Sequence, residues 1–405
     1  MFARKVALVL ALIGAPLAAS APAMAQITPT NVGDQPELGI HMGGFMLYPT
    51  LDVSGQYNDN VLAVNTGARS DVSWDVHPAL LLESTWTHYL LAFRAEYDLR
   101  RYDTLTQQDT DNYLFGANTQ IDLGSDTQFA AKTEYSRLSE LPGNTNLLTN
   151  AAEPTNFFRW DNTADVKHVF DRLQLDVGGE YTTLRFQNTP AVGGGTIFSV
   201  DRDRNVSQVY ADLGYQFSPG YQIFGRASWN QRDYTLAISQ FRNSTGYDAD
   251  AGVRVQLTHL IDGQAYVGYI QQDYKALNDI GGVDFGASLH WSATRLTDVK
   301  LEVDRSIEET DEVGAVGYFA TAVSLNVAHQ ISRSVTLSAN ADYTNNDYKG
   351  VVRNEDVYGG GLSLDYHFRP QVHLIVDYQY TTRDSNIPGT DYSQNVVEAR
   401  LRLAL

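Results

Sequence analysis

The sequence ends in the stretch YSQNVVEARLRLAL, residues Tyr392 to Leu405, and its second half decides the fold. The apolar residues there take alternate positions: Val397, Ala399, Leu401, Leu403 and Leu405. The positions between them hold Glu398, Arg400 and Arg402. A period of two is that of a β-strand, in which successive side chains point to opposite faces. An unbroken apolar face opposite three charges is typical of a lipid-facing strand that closes a barrel, and it suits a soluble sheet less well.

The same alternation begins at Phe45 and continues to the C-terminus. Between Tyr89 and Leu99, for example, every second residue is apolar, and from Arg94 to Arg100 the positions between are charged. Repeating this assignment along the chain gives about 18 strands, and about 16 if short or kinked segments are not counted separately. The predicted fold class is therefore all-β: a transmembrane, antiparallel, up-and-down β-barrel.

The predicted connections alternate between short and long. The tight turns are expected at Trp86-Thr87, Gly124-Ser125-Asp126, Asp171-Arg172, Ser218-Pro219-Gly220, Asp262-Gly263, Ser332-Arg333 and Arg369-Pro370. The longer loops are expected at Asn58 to Ser70, Leu138 to Thr155, Asn188 to Asp203, Thr235 to Ser244 and Arg383 to Asp391. Short periplasmic turns and longer extracellular loops are the asymmetry of outer-membrane barrels.

Aromatic residues are abundant, with 24 Tyr, 16 Phe and 5 Trp. On the lipid-facing parity, one predicted girdle near the loops comprises Tyr57, Tyr97, Tyr113, Tyr135, Trp160, Tyr181, Trp229, Tyr247, Tyr269, Tyr318, Tyr343 and Tyr378. A second girdle, by the turns, comprises Tyr89, Phe170, Phe217, Tyr221, Trp291 and Phe368. Two girdles mark the two membrane interfaces. A soluble sandwich or propeller would have to bury this parity, which also carries many Gly, Ala and Thr residues.

The N-terminus predicts export from the cytoplasm. Arg4 and Lys5 precede a short apolar run, and Ala23-Met24-Ala25 is a small-x-small cleavage site, so residues 1–25 are predicted to be a signal peptide. Residues 26–44 are then a short periplasmic segment, and residues 45–405 are the barrel. The chain has no cysteine, so hydrogen bonds and packing must hold the fold without disulfides.

Charge and hydropathy exclude two classes of protein. The formal net charge is −19, and removing Arg4 and Lys5 makes it −21. Such acidity argues against nucleic-acid binding, which requires a basic surface. After the signal, no segment approaches the roughly 18 consecutive apolar residues that a membrane helix needs.

Charged residues of both signs fall on the predicted lumen face. The pore-lining candidates are Arg94, Glu96, Asp98, Arg100, Asp176, Glu180, Arg226, Asp250, Arg254, Lys300, Glu302, Asp304, Arg400 and Arg402. Opposite charges on neighbouring strands would pair and brace a wet wall. The same wall would offer hydrogen bonds to a hydrated or sugar-like solute, so a scaffold role and a selectivity role are both open.

The sequence predicts no catalytic residues, no cofactor and no metal site. The nine histidines include no H-E-x-x-H motif and no Cys partner. His290, His367 and His373 are expected to point inward near the periplasmic mouth, and shared depth alone does not indicate a metal. We therefore interpret the chain as a protein that is not an enzyme.

The first predicted hairpin resembles a known family. Tyr48-Pro49, the run Tyr57-Asn58-Asp59-Asn60-Val61, Ser70-Asp71 and Pro78 are similar to the opening of the outer-membrane putative beta-barrel porin 2 family. The most specific piece is the aromatic-Asn-Asp-Asn-hydrophobic signature, and the similarity of pattern covers nearly the whole mature chain. The C-terminal strand also resembles those that the outer-membrane insertion machinery reads, although their terminal residue is usually aromatic and here it is Leu405. Members of the family are often associated with exopolysaccharide loci.

The resemblance implies a barrel in the cell outer membrane that serves exopolysaccharide export or surface assembly through an aqueous path. A general diffusion porin for small solutes and a non-conducting structural scaffold are the alternatives. The expected partners are outer-membrane lipid and lipopolysaccharide, the insertion machinery and polysaccharide export components. No nucleic acid is expected.

Overall fold

The computed structural model describes residues 39–143 and 151–405. The predicted signal peptide and most of the predicted periplasmic segment lie outside the described residues, as does part of the predicted loop Leu138 to Thr155. The described residues contain no helix of the length and apolarity that a membrane crossing requires.

Long β-strands form nearly all of the structure. The strands are β1 Ile40–Met42, β2 Phe45–Asn58, β3 Asp71–Ser84, β4 Tyr89–Tyr102, β5 Thr110–Asp122, β6 Thr127–Glu140, β7 Thr155–Phe170, β8 Leu173–Phe186, β9 Thr189–Pro190, β10 Thr196–Ile197, β11 Arg204–Ser218, β12 Tyr221–Tyr234, β13 Ser244–Thr258, β14 Ile261–Tyr274, β15 Ile280–Thr294, β16 Thr297–Glu308, β17 Gly317–Ser332, β18 Val335–Lys349, β19 Asn354–Arg369, β20 Val372–Ser385 and β21 Tyr392–Ala404. Three short 3₁₀ helices lie in the connections, at Thr106–Gln108, Val200–Arg202 and Ala237–Arg242.

Within the described residues, eighteen of these strands form one closed antiparallel barrel, β2 to β8 and β11 to β21. Each pairs with its neighbour in the chain, and β8 pairs with β11 across the intervening loop. The first and last strands close the ring, with Thr50 opposite Ala404 and Asn58 opposite Val396. The predicted fold class and strand number are confirmed. The short strand β1 folds back on Phe45 to Leu47 and was not predicted.

The connections divide by length between the two ends of the barrel. At the turn end, strands are joined by two to four residues, as at Asp171 and Arg172 between β7 and β8. Asp171 has a φ of +53°, the conformation that a two-residue hairpin demands and that aspartate tolerates better than most residues. At the loop end the connections are generally longer, and the one from β8 to β11 contains a small hairpin and a 3₁₀ helix.

One predicted turn was wrong. Asp262 and Gly263 lie inside β14, opposite Gln256 and Val255, and the turn falls at residues 259 and 260. There the Leu260 amide donates a hydrogen bond to Thr258 Oγ1 at 3.0 Å, which closes the chain reversal before Asp262 is reached. The sequence Asp-Gly is a strong turn signal, but the chain reverses before it, at a turn that this local hydroxyl bond supports.

The outward face carries the predicted aromatic girdles, with one exception. Trp160 and Tyr247 near the loops are exposed, as are Phe170 and Phe368 near the turns. Tyr318 is instead fully buried and stacks on Tyr348, with ring centroids 4.8 Å apart. It lies on the opposite parity from the outward residues of β17, so its assignment to the lipid-facing girdle was wrong.

The barrel wall changes character between β15 and β16. Their register begins at Ala287 and Val303 and runs only toward the turn end. Nearer the loops, β15 continues to pair with β14, and β16 continues to pair with β17. The Arg305 guanidinium lies 4.2 Å from the Phe319 ring and 5.7 Å from the Phe285 ring. Side chains therefore help to fill the wall at this point.

Candidate functional site: the inward face and the loop lid

The first and last barrel strands, β2 and β21, meet at what we call the closing seam, and ion pairs lie on its inward face. Arg402 of β21 donates to both carboxylate oxygens of Asp52 of β2, at 2.9 Å to Oδ1 and 2.8 Å to Oδ2. Two residues earlier in β21, on the same face, Arg400 donates to Glu398 at 2.8 Å and lies 3.8 Å from Asp377 of β20. The charges predicted from the C-terminal stretch thus bind three neighbouring strands together.

The neighbouring strands β3 and β4 carry further ion pairs on the inward face. Arg100 donates to Asp75 Oδ1 at 2.9 Å, and both side chains are largely buried. Asp98 accepts from His77 Nδ1 at 3.4 Å, and Glu96 lies 3.9 Å from the other nitrogen of that imidazole. Arg94, which is half exposed, pairs with Glu96.

A second charged group lies on β11 to β13. Arg226 donates to Asp250 at 2.7 Å, and its guanidinium lies 4.7 Å from the Tyr266 ring. Arg254 donates to Asp212 Oδ1 at 3.0 Å. Arg254 also covers Phe224, with 3.9 Å from the guanidinium carbon to the ring centroid. Charge-assisted bonds of this kind hold long side chains flat against a wall.

Next to this group the wall forms a cavity of about 400 Å³. Four of the predicted pore-lining residues line it: Arg226, Lys300, Glu302 and Asp304. Uncharged hydrogen-bonding groups accompany them: Gln208, Tyr210, Ser228 and Tyr266. The cavity therefore presents donors, acceptors and aromatic rings together.

The remaining two candidates, Asp176 and Glu180, both lie on β8. Glu180 accepts a hydrogen bond from Thr182 Oγ1 at 3.1 Å. Asp176 Oδ1 is buried without a hydrogen-bond partner among the described residues. The fourteen predicted residues thus form two main groups, one at the closing seam and one around the cavity, with β8 contributing separately.

A buried ion network, which we call the lid, ties the loops together at the loop end. Glu309, just after β16, accepts from Arg232 Nη1 at 2.6 Å, from Tyr234 Oη at 2.7 Å and from Tyr274 Oη at 3.1 Å. Arg232 and Tyr234 belong to β12, four strands away. A contact that skips the intervening strands must run through the barrel interior, so these side chains point inward.

The lid continues to the opposite loops through Asp311. Arg202, in the loop between β8 and β11, makes a two-pronged contact with Glu140 at 2.7 and 2.6 Å. Its Nε lies 2.6 Å from Asp311. Arg242, in the loop between β12 and β13, lies 3.4 Å from Asp311 and donates to the Thr310 carbonyl at 2.7 Å. Two loops are therefore locked to one acidic segment.

The lid sets the ionisation of its loop carboxylate. Burial raises the pKa of Glu309, but the guanidinium groups of Arg232, Arg242 and Arg204 outweigh that effect and lower it to about 2. Burial lowers the pKa of Arg202, and the carboxylates of Asp311 and Glu140 more than reverse this. Glu309 and Arg202 are thus both charged at neutral pH.

Sequence reasoning missed the lid. It identified Asn188 to Asp203 as a long loop, and Arg202 lies in that loop, but Glu140, Glu309 and Asp311 were not singled out. The available signal was the pair Glu308-Glu309 at the end of a strand, together with arginines at the ends of two loops. It gives no indication of which loops meet.

Two of the three predicted inward histidines come together. His367 Nε2 lies 3.0 Å and His373 Nδ1 lies 3.4 Å from Asp365 Oδ2. His290 lies apart from them, with its ring nitrogens 3.2 Å from Asp262 and 3.2 Å from Asp298.

This closed barrel, with a polar inward face and charged loops over one end, has the architecture of outer-membrane β-barrels of the porin class. The chain belongs to the family described as putative beta-barrel porin 2, whose family model matches residues 35–405. The predicted family is confirmed. A comparison with curated proteins finds no significant match.

Several solved outer-membrane barrels are similar to this chain at low sequence identity. A ferric enterobactin receptor variant from Pseudomonas aeruginosa in complex with enterobactin is 7% identical, with a TM-score of 0.50 over 89% of this chain and 81% of that one. OccAB4 from Acinetobacter baumannii is 12% identical, with a TM-score of 0.46 over 92% of this chain and 100% of that one. OpdL from Pseudomonas aeruginosa is 12% identical, with a TM-score of 0.46 over 90% and 99%.

Proposed function

We propose that the protein forms a gated aqueous pore in the outer membrane and that an exopolysaccharide is its cargo. In this proposal the turn end faces the periplasm and the loop end faces the outside. The observation that carries the proposal is the cavity of about 400 Å³, in which Arg226, Lys300 and Glu302 stand beside Tyr210 and Tyr266. A sugar polymer offers hydroxyls and apolar ring faces, and this lining offers a partner for each.

The wall supports passage by weak and repeated contacts. Its charges are largely compensated within the wall, as in the pairs Arg402 with Asp52 and Arg254 with Asp212. A compensated wall stays hydrated without holding one ion tightly, which suits a long, hydrated solute. The choice of exopolysaccharide over another hydrated solute comes from the family resemblance, and a general diffusion porin would use the same wall.

The lid supports a gate. Glu309 and Asp311 hold two other loops and the end of β12 against the interior, so a path through the barrel requires those ion pairs to separate or the solute to pass beside them. The same feature favours the second candidate function, a scaffold whose own loops permanently close the lumen. Removing one partner of a buried ion pair is strongly destabilising, although the intact pair adds little net stability to the fold.

Planar-bilayer recordings of the refolded mature chain test the pore. We expect single channels. Their conductance should rise when residues 190–198 are replaced by a short Gly-Ser linker, because those residues belong to the same loop as Arg202, which the lid holds over the interior. Channels in neither protein would overturn both transport readings and favour the scaffold. Oligosaccharide added to the bath should block the current in the export reading, and a gene deletion that leaves secreted polysaccharide unchanged would remove this cargo.

A further inference from the structure

The hairpin of β19 and β20 carries a histidine–carboxylate cluster near the turn end. Asp365 and His367 are two residues apart in β19 and share its inward face, and His373 of β20 stands directly opposite His367. Directly opposed residues of an antiparallel pair have their Cβ atoms within about 5.5 Å of one another. The cluster is therefore built into the strand register and does not depend on a loop.

The donor atoms have the spacing of a metal site. His367 Nε2 and His373 Nδ1 lie 3.0 and 3.4 Å from Asp365 Oδ2. One ligand atom from each of the three residues falls within 4.8 Å of the others. Zinc bound tetrahedrally at about 2.0–2.1 Å puts neighbouring ligand atoms about 3.3 Å apart. Small rotations of the side chains would bring all three to that geometry.

A second observation points to a ligand at this place. Asp365 is only 5% exposed, and its Oδ1 is buried with no hydrogen-bond partner among the described residues. Buried carboxylate oxygens normally have a hydrogen-bond partner, and one without a protein partner calls for a bound water, an ion or a functional role. The two imidazole rings also stack with their centroids 4.1 Å apart, and two positively charged rings would repel each other at that distance.

We propose that Asp365, His367 and His373 bind a divalent first-row transition metal, with Zn²⁺ as the best fit. Two imidazoles and one carboxylate are a ligand set that zinc and its neighbours use, and they leave the fourth position open. The histidines line a cavity of about 210 Å³ together with Arg333 and Arg369. Those two positive charges favour an anionic fourth ligand, such as hydroxide. The metal would join β19 to β20 on the lumen side, whatever solute the barrel passes.

The test uses the refolded mature chain in detergent, after chelation and removal of the chelator. Titration with Co²⁺ should give the visible absorption of a tetrahedral cobalt site at one equivalent, and Zn²⁺ should displace it. His367→Ala, His373→Ala and Asp365→Asn should each abolish the absorption or weaken Zn²⁺ binding in calorimetry by at least tenfold. His290→Ala is the matched control, because it removes another histidine that contacts two carboxylates, and it should leave both readouts unchanged.

Heat-dependent mobility in gel electrophoresis confirms that each variant has folded as a barrel. A wild-type chain that binds neither Co²⁺ nor Zn²⁺ would overturn the proposal, leaving an ordinary cluster of histidines hydrogen-bonded to an aspartate. Equal loss of binding in His290→Ala and His367→Ala would also overturn it, because that result indicates diffuse binding to surface histidines. If Asp365→Asn does not fold, the His367→Gln variant decides, since it keeps the volume and removes the imidazole.

Discussion

Asp59 accepts two hydrogen bonds from Asn395, one from the backbone amide at 2.7 Å to Oδ1 and one from the side-chain amide at 2.6 Å to Oδ2. Asp59 directly follows the first barrel strand, and Asn395 lies in the last. The next residue, Asn60, donates to the Ser393 carbonyl at 2.9 Å, and Gln394 donates to the Asn60 carbonyl at 2.8 Å. The loop after β2 is thus fastened to β21 at the loop end of the closing seam.

These contacts give the Asn58-Asp59-Asn60 signature a physical role. Asn58 accepts from the Asn60 amide at 2.8 Å, which shapes the chain so that Asp59 and Asn60 reach β21. A slip of one residue between two strands would reverse every side chain of one strand between lipid and lumen. Closing contacts that recognise particular atoms of Asn395 therefore help to fix the register of the pairing between β2 and β21. We interpret the signature as a closure device and not as a binding site.

Replacing Asp59 by alanine should destabilise barrel closure. The change leaves the backbone and side-chain amides of Asn395 without their acceptor, and a lost hydrogen bond to a charged group is worth about 1.5–3 kcal/mol. We expect the urea midpoint of unfolding to fall, with a slower return to the folded band on refolding. Both are measured by heat-dependent gel mobility in lipid vesicles.

Asp384→Ala is the matched control for that change, because Asp384 is an exposed aspartate near the loop end of the neighbouring strand β20. It should leave the midpoint within the error of the measurement. Equal midpoints for the Asp59→Ala variant and the wild type would show that the signature does not support closure.

The sequence was sufficient for the barrel because each strand repeats its own local signal. In β21, Val397, Leu401 and Leu403 face outward and are exposed, as the period of two predicts. The antiparallel pairing of the first and last strands then follows from the even number of strands. The prediction placed one turn at Asp262-Gly263, whereas the chain reverses at residues 259 and 260, where the Thr258 hydroxyl accepts a local hydrogen bond that the Asp-Gly signal does not reveal.

The lid and the cluster on β19 and β20 differ in how far the sequence could predict them. Arg232 and Glu309 are 77 residues apart, and Arg202 and Glu140 are 62 apart, so only the closed ring makes them neighbours. His367 and His373 are separated by a tight turn, and their inward direction was predicted. That Asp365 lies within hydrogen-bonding distance of both depended on the register of the hairpin.

Replacing Glu309 by glutamine should loosen the lid. The buried guanidinium of Arg232 loses its carboxylate partner, and breaking a buried pair in this way costs about 3–5 kcal/mol. We expect a higher open probability in planar bilayers at neutral pH. Glu153→Gln, an exposed change in another loop, should behave as the wild type. An unchanged open probability in both variants would show that the lid does not control the opening of the channel.

Acid should open the lid by the same route. The folded pKa of Glu309 is about 2, against an ordinary value of 4.5, so its ionised form favours the closed lid. That stabilisation, about 3 kcal/mol, is complete above pH 4.5 and is lost as the pH falls toward 2. We expect the open probability of the wild type to rise over this interval. The Glu309→Gln variant should lack that rise, and matching curves for the two proteins would assign any acid response to other carboxylates.

Replacing Lys300 by glutamine should shift the ion selectivity of the pore toward cations. Lys300 lines the cavity of about 400 Å³ and is exposed there, so a permeating ion can approach its charge. One unit charge 4 Å from an ion is worth about 1 kcal/mol in water, which corresponds to a change of up to about fivefold in the permeability ratio. The reversal potential in a salt gradient measures that ratio.

Arg172→Gln, at an exposed hairpin turn, removes the same charge outside the cavity and should change the reversal potential less. If the two variants shift it equally, the net charge of the protein and not the cavity controls selectivity, and the cavity would then lie off the conducting path.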